Sequence, residues 1–251
     1  MALGVNDRSP ELDEIAQDWP VLDALMSGTR SMRRAGLMPQ WPGEPADSYK
    51  ARLSVATLFP AYKRTVGVMA GKPFAKALTL EDADPSIEQW CENIDQQGTN
   101  LHTFCADLFW QTVGHGMAGI LVDYPRVSEG PRSIAELERS GIRPYWVAIK
   151  HDQILGWKMG TYQGAPALSQ LRLLEIIKED DGQWGTTEVQ QVRVLYQGGW
   201  QIYRQMGQDK SWQLYDEGVT TLGRIPFVPT YGRKLGSMLG QAPLLDLAYL
   251  N

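Results

Sequence analysis

The residues of this 251-residue chain that could do chemistry are its acids and one glycine-rich stretch. Asp123 closes the aliphatic run Ile120-Leu121-Val122. A carboxylate at such a strand end can hold a metal ion for phosphoryl chemistry, provided a phosphate-binding loop accompanies it. The nearest candidate loop is Gly67-Val68-Met69-Ala70-Gly71-Lys72-Pro73. It has three residues between its glycines instead of four, and proline where a hydroxyl should meet magnesium. Nucleotide hydrolysis fails on spacing and on chemistry. A carboxylate-dependent hydrolase using Asp123 with Glu92 or Asp95 is the remaining enzyme reading, and it rests on isolated acids alone. The competing reading of Asp123 is a strand-end residue that caps a turn with Tyr124-Pro125.

Histidine and cysteine add no catalytic pattern. His102, His115 and His151 are scattered without metal-ligand spacing, and His115 sits where a helix C-terminus favours a positive ring. Cys91 and Cys105 lie among apolar neighbours and read as core thiols. No nucleophile–base pair, cofactor motif or metal cluster emerges from the order of residues, so no catalytic, cofactor or metal position is assigned.

The elements around these residues follow from periodicity. Apolar residues at Leu101, Phe104, Cys105, Leu108, Phe109 and Val113 mark one buried helical face, with Thr99 or Asn100 as its cap. Gly114 and Gly116 release the chain into the strand Ile120-Leu121-Val122, expected to be covered on both faces. Upstream, residues 1–45 look loosely organised, with helical spacing from Glu11 to Ser27 that Pro20 should break. A long helix is expected after Asp47, kinked or divided at Pro60 and ended by Gly71 and Pro73, and another begins at Asp84-Pro85. Beyond Pro125 a loop leads to a short helix over 134–140 capped by Ser133, with Glu136 at its third position. The period then changes to two, predicting strands over 144–149, 154–159, 171–177, 190–196, 200–205, 211–215 and 226–231 in one antiparallel meander. The resulting division is 1–45, 46–125 (helical, ending in a buried strand), 126–242 (β-rich) and 243–251, the start of a helix. The fold class is α+β, with amino-terminal helices packed on a largely antiparallel sheet.

Charge is distributed in blocks. Residues 26–76 carry nine Lys or Arg against Glu44 and Asp47, and residues 77–125 carry eight acids and no Lys or Arg. Either a basic helix docks on an acidic one within the chain, or one sign meets the other between identical subunits. Arg30, Arg33, Arg34, Lys63 and Arg64 are the candidate subunit or DNA contacts, against the plainer reading of solvated charge. No apolar run reaches the ~18 residues of a membrane helix and no signal peptide opens the chain, so an intracellular protein is expected.

A set of junctions runs collinearly through the chain. It comprises Tyr49 through Gly71, Glu92-Asn93-Ile94-Asp95 followed by Gly98, Gly119-Ile120-Leu121-Val122-Asp123-Tyr124-Pro125, and Arg143-Pro144-Tyr145. Ile154-Leu155-Gly156-Trp157, Arg224-Ile225-Pro226-Phe227-Val228-Pro229 and Leu244-Leu245-Asp246-Leu247-Ala248-Tyr249-Leu250-Asn251 continue it. In this order the sequence resembles the amino-terminal, wing-containing half of the portal proteins of tailed bacteriophages. The resemblance implies a ring at a capsid vertex of the virion, assembled in the host cytoplasm, through which double-stranded DNA is packaged and ejected. It also implies terminase, scaffold, capsid and head-to-tail adaptor proteins as partners. Stem and clip segments would follow Asn251, so the apolar stripe of Leu244, Leu245, Leu247, Ala248 and Leu250 is expected to need cover from outside. On that basis the chain should be monomeric or irregularly associated without closing a stable ring by itself, the charge blocks favouring only weak, salt-sensitive head-to-tail contact. Another phage structural protein, such as an adaptor, is the alternative within the same class.

Overall fold

The computed structural model describes residues 3–125, 140–182, 184–206 and 210–251. The helix expected over 134–140 lies outside the described residues, apart from Ser140. The chain forms two units, each assembled from separated segments. Unit 1 is Met1–Ala16 with Ile149–Phe227, and unit 2 is Gln17–Ala148 with Val228–Asn251. The fold is α+β, and its units cross the contiguous division expected from composition.

Unit 2 holds the helices that follow the first. After α1 (Pro10–Ala16) of unit 1 come α2 (Trp19–Ser27) and α3 (Thr29–Ala35). Residues 1–45 are therefore more ordered than expected. Trp19, Leu22, Leu25 and Met26 are buried along α2. Pro20 does not break this helix, because it stands in the first turn, where its missing N–H has no intrahelical partner to lose. Pro60 divides the next segment into α4 (Ala46–Val55) and α5 (Ala61–Gly71). The inner face of α5 is Tyr62, Val66 and Ala70, while Met69 is exposed and α4 buries no residue. The Tyr62 hydroxyl donates to the Gly114 carbonyl at 2.7 Å, and burial pushes its pKa well above the ordinary phenol value.

Helix α6 (Pro85–Cys91) starts as expected, the Asp84 carboxylate accepting from Ser86 N. Helix α7 (Leu101–His115) is capped by Asn100, whose Oδ1 accepts from Thr103 N at 2.9 Å. Its buried side meets Ile94 and the strand residue Ala118 through Phe104 and Leu108, with Trp146 edge-on to Phe104. Phe109 is only half-buried and lies 5.9 Å from the Phe74 ring, so it belongs to the margin of the core. At Gly116 the backbone turns left-handed (φ 94°) and enters β1 (Met117–Asp123).

Strand β1 is the centre of a three-stranded sheet in the order β2-β1-β8, where β2 is Tyr145–Lys150 and β8 is Phe227–Tyr231. The seven predicted strands thus do not form one meander, because an alternating pattern announces a strand without naming its neighbour. The other five do, in unit 1: β3 (Ile154–Tyr162), β4 (Ala165–Asp180), β5 (Thr186–Tyr196), β6 (Gly199–Met206) and β7 (Ser211–Val219) pair antiparallel in sequence order. Leu155, Val192 and Val194 form the buried heart of its inner face, with Val5, Leu174, Tyr203 and Trp212 packed around them. The amino-terminal segment is tied to this sheet by Ser9 N to Leu155 O (2.8 Å) and by Arg172 Nη1 to the carbonyls of Gly4 and Val5 (3.0 and 2.9 Å).

Two short strands escaped the sequence reading. β9 (Arg233–Gly236) and β10 (Leu239–Gln241) pair antiparallel before the last helix, α8 (Leu245–Leu250). The apolar stripe of α8 is covered within its own unit, which corrects the expectation for it. Ala248 is buried, Leu244, Leu245 and Leu247 are half-buried, and only Leu250 stands clear at 84% exposure. Tyr249 donates to Asp18 at 2.5 Å, and Asn251 accepts from Tyr62 N (2.7 Å) while donating to Phe59 O (2.8 Å).

Candidate functional site

Of the acids in the hydrolase reading, Asp95 braces a turn, while Asp123 and Glu92 do not. Asp123 Oδ1 accepts from the adjacent Tyr124 N at 2.9 Å, and the N–H two residues on, which a turn cap would use, is missing because residue 125 is proline. Asp95 Oδ1 accepts from Gln97 N (2.8 Å) and Thr99 N (3.1 Å), and the Asn93 side chain accepts from Gly98 N in the same loop. Burial alone would raise the Asp95 pKa, but these hydrogen bonds, with one from the Thr99 side chain, outweigh it and hold the carboxyl below its ordinary value. Glu92 is exposed at the end of α6. The stretch Gly67 to Pro73 is helical, with Gly71 at φ −75° and ψ −25°, so its backbone N–H groups do not form a phosphate cradle.

Because the folded pKa of Asp95 lies below its unfolded value, its stabilising effect is present above the ordinary carboxyl pKa of about 4 and is lost as pH falls through the folded value. Asp95→Asn is therefore expected to melt below the wild type at pH 7, with the gap narrowing as pH falls below the ordinary carboxyl value of about 4. Thermal melts across that range test it. An undiminished gap at the acid end would mean that the charge is not its source.

Sequence reasoning did not find a cavity of about 370 Å³ lined by residues that include Leu78, Glu88, Cys91, Glu92 and His102. His102 Nδ1 accepts from Leu78 N at 3.3 Å. Burial, then the carboxylates of Glu92 and Glu88, push the Cys91 thiol up, and burial with its neighbour Cys91 does the same to Cys105. Both are thereby kept as thiols, the poor form for nucleophilic attack. His115, in the last turn of α7, is buried, with Nε2 3.1 Å from Asp23 Oδ1 and Nδ1 3.2 Å from Gln111 O. This links α7 to α2. His151 lies buried in a 3-10 turn of unit 1.

The basic candidates are placed by two helices of unit 2. Arg30, Arg33 and Arg34 stand on α3, and Lys63 and Arg64 on α5. Arg30, Arg34, Lys63 and Arg64 are exposed. Arg33 is half-buried and its Nε donates to Ala56 O at 2.7 Å, while Thr29 Oγ1 accepts from Leu58 N, so part of the arginine cluster fastens α3 to the α4–α5 connection. Val55, Phe59 and Val68 are 74%, 70% and 61% exposed along the same connection and α5. Among the described residues, the basic block makes its ion pairs within itself, Lys50 with Asp47 (3.9 Å) and Arg52 with Glu44 (2.7 Å). It makes none with the acidic block of 77–125, so the basic helices do not dock on the acidic segment through ion pairs.

No protein-family model matches the sequence, and no curated protein is similar to it. No helix among the described residues is long and apolar enough to cross a membrane.

Proposed function

We propose that this chain is a structural subunit of a phage portal, the head-to-tail connector ring, built for contact with copies of itself. The observation that carries the reading is the pair of opposite charge blocks in unit 2 that, among the described residues, make no ion pair with each other. Surfaces of opposite sign on one subunit suit a heterologous contact, which repeats head to tail and closes into a ring when the rotation permits. Two further features support it. Helix α4 buries nothing of its own, and Val55 at its end and Phe59 in the α4–α5 connection are exposed. The junctions that resemble portal proteins include the α6–α7 loop, β1 and the approach to β8, elements that fix how a wing-like module is assembled. Within such a ring the exposed basic residues Arg30, Arg34, Lys63 and Arg64 serve subunit contact or non-specific contact with double-stranded DNA. Terminase, scaffold and capsid proteins and head-to-tail adaptors are the further partners, at the capsid vertex.

Light scattering with particle imaging tests this reading. Mass above the monomer is expected at low ionic strength, as head-to-tail chains or rings. It should fall as salt screens exposed charges over about 8 Å at 0.15 M. Lys63→Glu with Arg64→Glu should reduce association similarly. A monomer at every ionic strength and concentration would overturn the proposal.

A further inference from the structure

The longest hairpin of unit 1 outgrows its sheet. Strands β4 and β5 stay paired to Asp180↔Thr186. The ladder on one side ends where β3 pairs Ile154 with Leu173, and on the other where β6 pairs Arg204 with Gln191. Residues 176–180 and 186–190 therefore continue as a two-stranded ribbon, roughly 17 Å long at about 3.3 Å per residue. A ribbon whose outer edges carry no ladder bonds among the described residues is only marginally stable on its own in water, and this one carries apolar side chains outward. Ile176 is exposed, and Trp184 at the tip is 97% exposed. A tryptophan placed there leaves on the order of 200 Å² for a partner to bury, and tryptophan is enriched among the residues that dominate binding energy.

The ribbon's charge indicates what it fits. Glu179 is held by Arg204 at 2.8 Å. Asp180, Asp181 and Glu188 remain exposed against the single cation Lys178. The first two brace the turn, Asp180 accepting from Gly182 N and Asp181 from Gly185 N at 3.0 Å each, so the acids and the indole are held at one end. The counterpart is an apolar patch ringed by cations. The α4–α5 surface has that composition: Val55, Phe59 and Val68 are exposed along the stretch that carries exposed Lys63 and Arg64, Arg64 and Val68 stand four residues apart on one side of α5, and Lys72 follows in the 3-10 turn at its end.

We propose that the β4–β5 ribbon of one copy docks through Trp184 onto the α4–α5 surface of a second copy. The inference rests on the self-association in the function proposed above, and it names the contact. It requires neither a closed ring nor DNA. Acid meets base and indole meets aliphatic side chains, so the contact has a salt-sensitive part and an apolar part that salt leaves in place.

The test uses the full chain with the photo-reactive residue benzoylphenylalanine at position 184. Irradiation at low ionic strength is expected to give covalent dimers whose cross-linked peptides map to residues 55–72. Trp184→Ser should weaken association at least tenfold. The loss caused by Lys63→Glu with Arg64→Glu should be partly recovered when mixed with a Glu188→Lys partner. Cross-links to another surface, or association unchanged in Trp184→Ser, would overturn the inference. Covalent dimers through position 184 without rings would uphold it while the ring reading fails. Rings without a cross-link at 184 would do the reverse, and a monomer without cross-links would overturn both.

Discussion

Gly116→Ala is expected to cost about 2–5 kcal/mol of stability, as much as a core truncation, although it adds a single methyl group. The left-handed backbone at Gly116 (φ 94°) charges a β-carbon roughly 1–2 kcal/mol. That carbon would also stand 2.5 Å from Ala242 N and Gln241 C, backbone atoms that cannot rotate away, and overpacking of this kind costs about 1–3 kcal/mol or more. Gly114→Ala, two residues earlier, supplies the control. Its β-carbon would meet the terminal Cε of Met26 at 2.6 Å, the free end of a flexible side chain. The gain of helix propensity, about 1 kcal/mol, offsets the adjustment. Chemical denaturation of the pair tests the difference, and comparable losses would mean that the approach of Gln241-Ala242 to the end of α7 is not close.

Leu108→Ala carries the second large effect. Leu108 is buried with Ile94, Phe104 and Ala118, and removing such a side chain costs about 2–5 kcal/mol through lost transfer energy and the cavity left behind. Phe109→Ala should cost only about 1–2 kcal/mol, since its ring at the Phe74 margin keeps part of its surface in water. Equal destabilisation by the two variants would place the buried face of α7 one position away from where the structure has it.

What could be read from the sequence was local. The helix cap, offered by Thr99 or Asn100 and made by Asn100, the Asp84-Pro85 start and the strand ending at Asp123 each depend on a few adjacent residues and stand where expected. Of the two exit glycines only Gly116 leaves the helix, and Gly114 remains within it. What could not be read depends on distant partners. Pro20 looks the same as a helix breaker and as a first-turn residue until the preceding helix is known to stop at Ala16. Strand β8 has the same alternation as its predecessors, yet its neighbour is β1. Strands β9 and β10, four and three residues long, are too short for alternation to show. At the candidate site, charge counts located the two blocks, but nothing in their order reveals that Arg33 points back to Ala56. Nothing local marks Trp184, whose exposure depends on the described ladders of β3 and β6 ending before it.

The ties of the amino-terminal segment to the sheet bear on how the chain is made. Ser9 bonds to Leu155, and Gly4 and Val5 to Arg172, residues that leave the ribosome long after them. At about 5–20 residues per second the segment waits roughly 10–30 s for its partners. The end of α7 likewise waits for Gly232, which donates to the Gly116 carbonyl. Neither unit can complete its native contacts during early translation. Contacts this far apart in sequence also slow folding, since a long loop must close before they contribute. Synthesis therefore has an interval in which buried surfaces such as Leu12 and Trp19 are exposed, and chaperone demand should concentrate there.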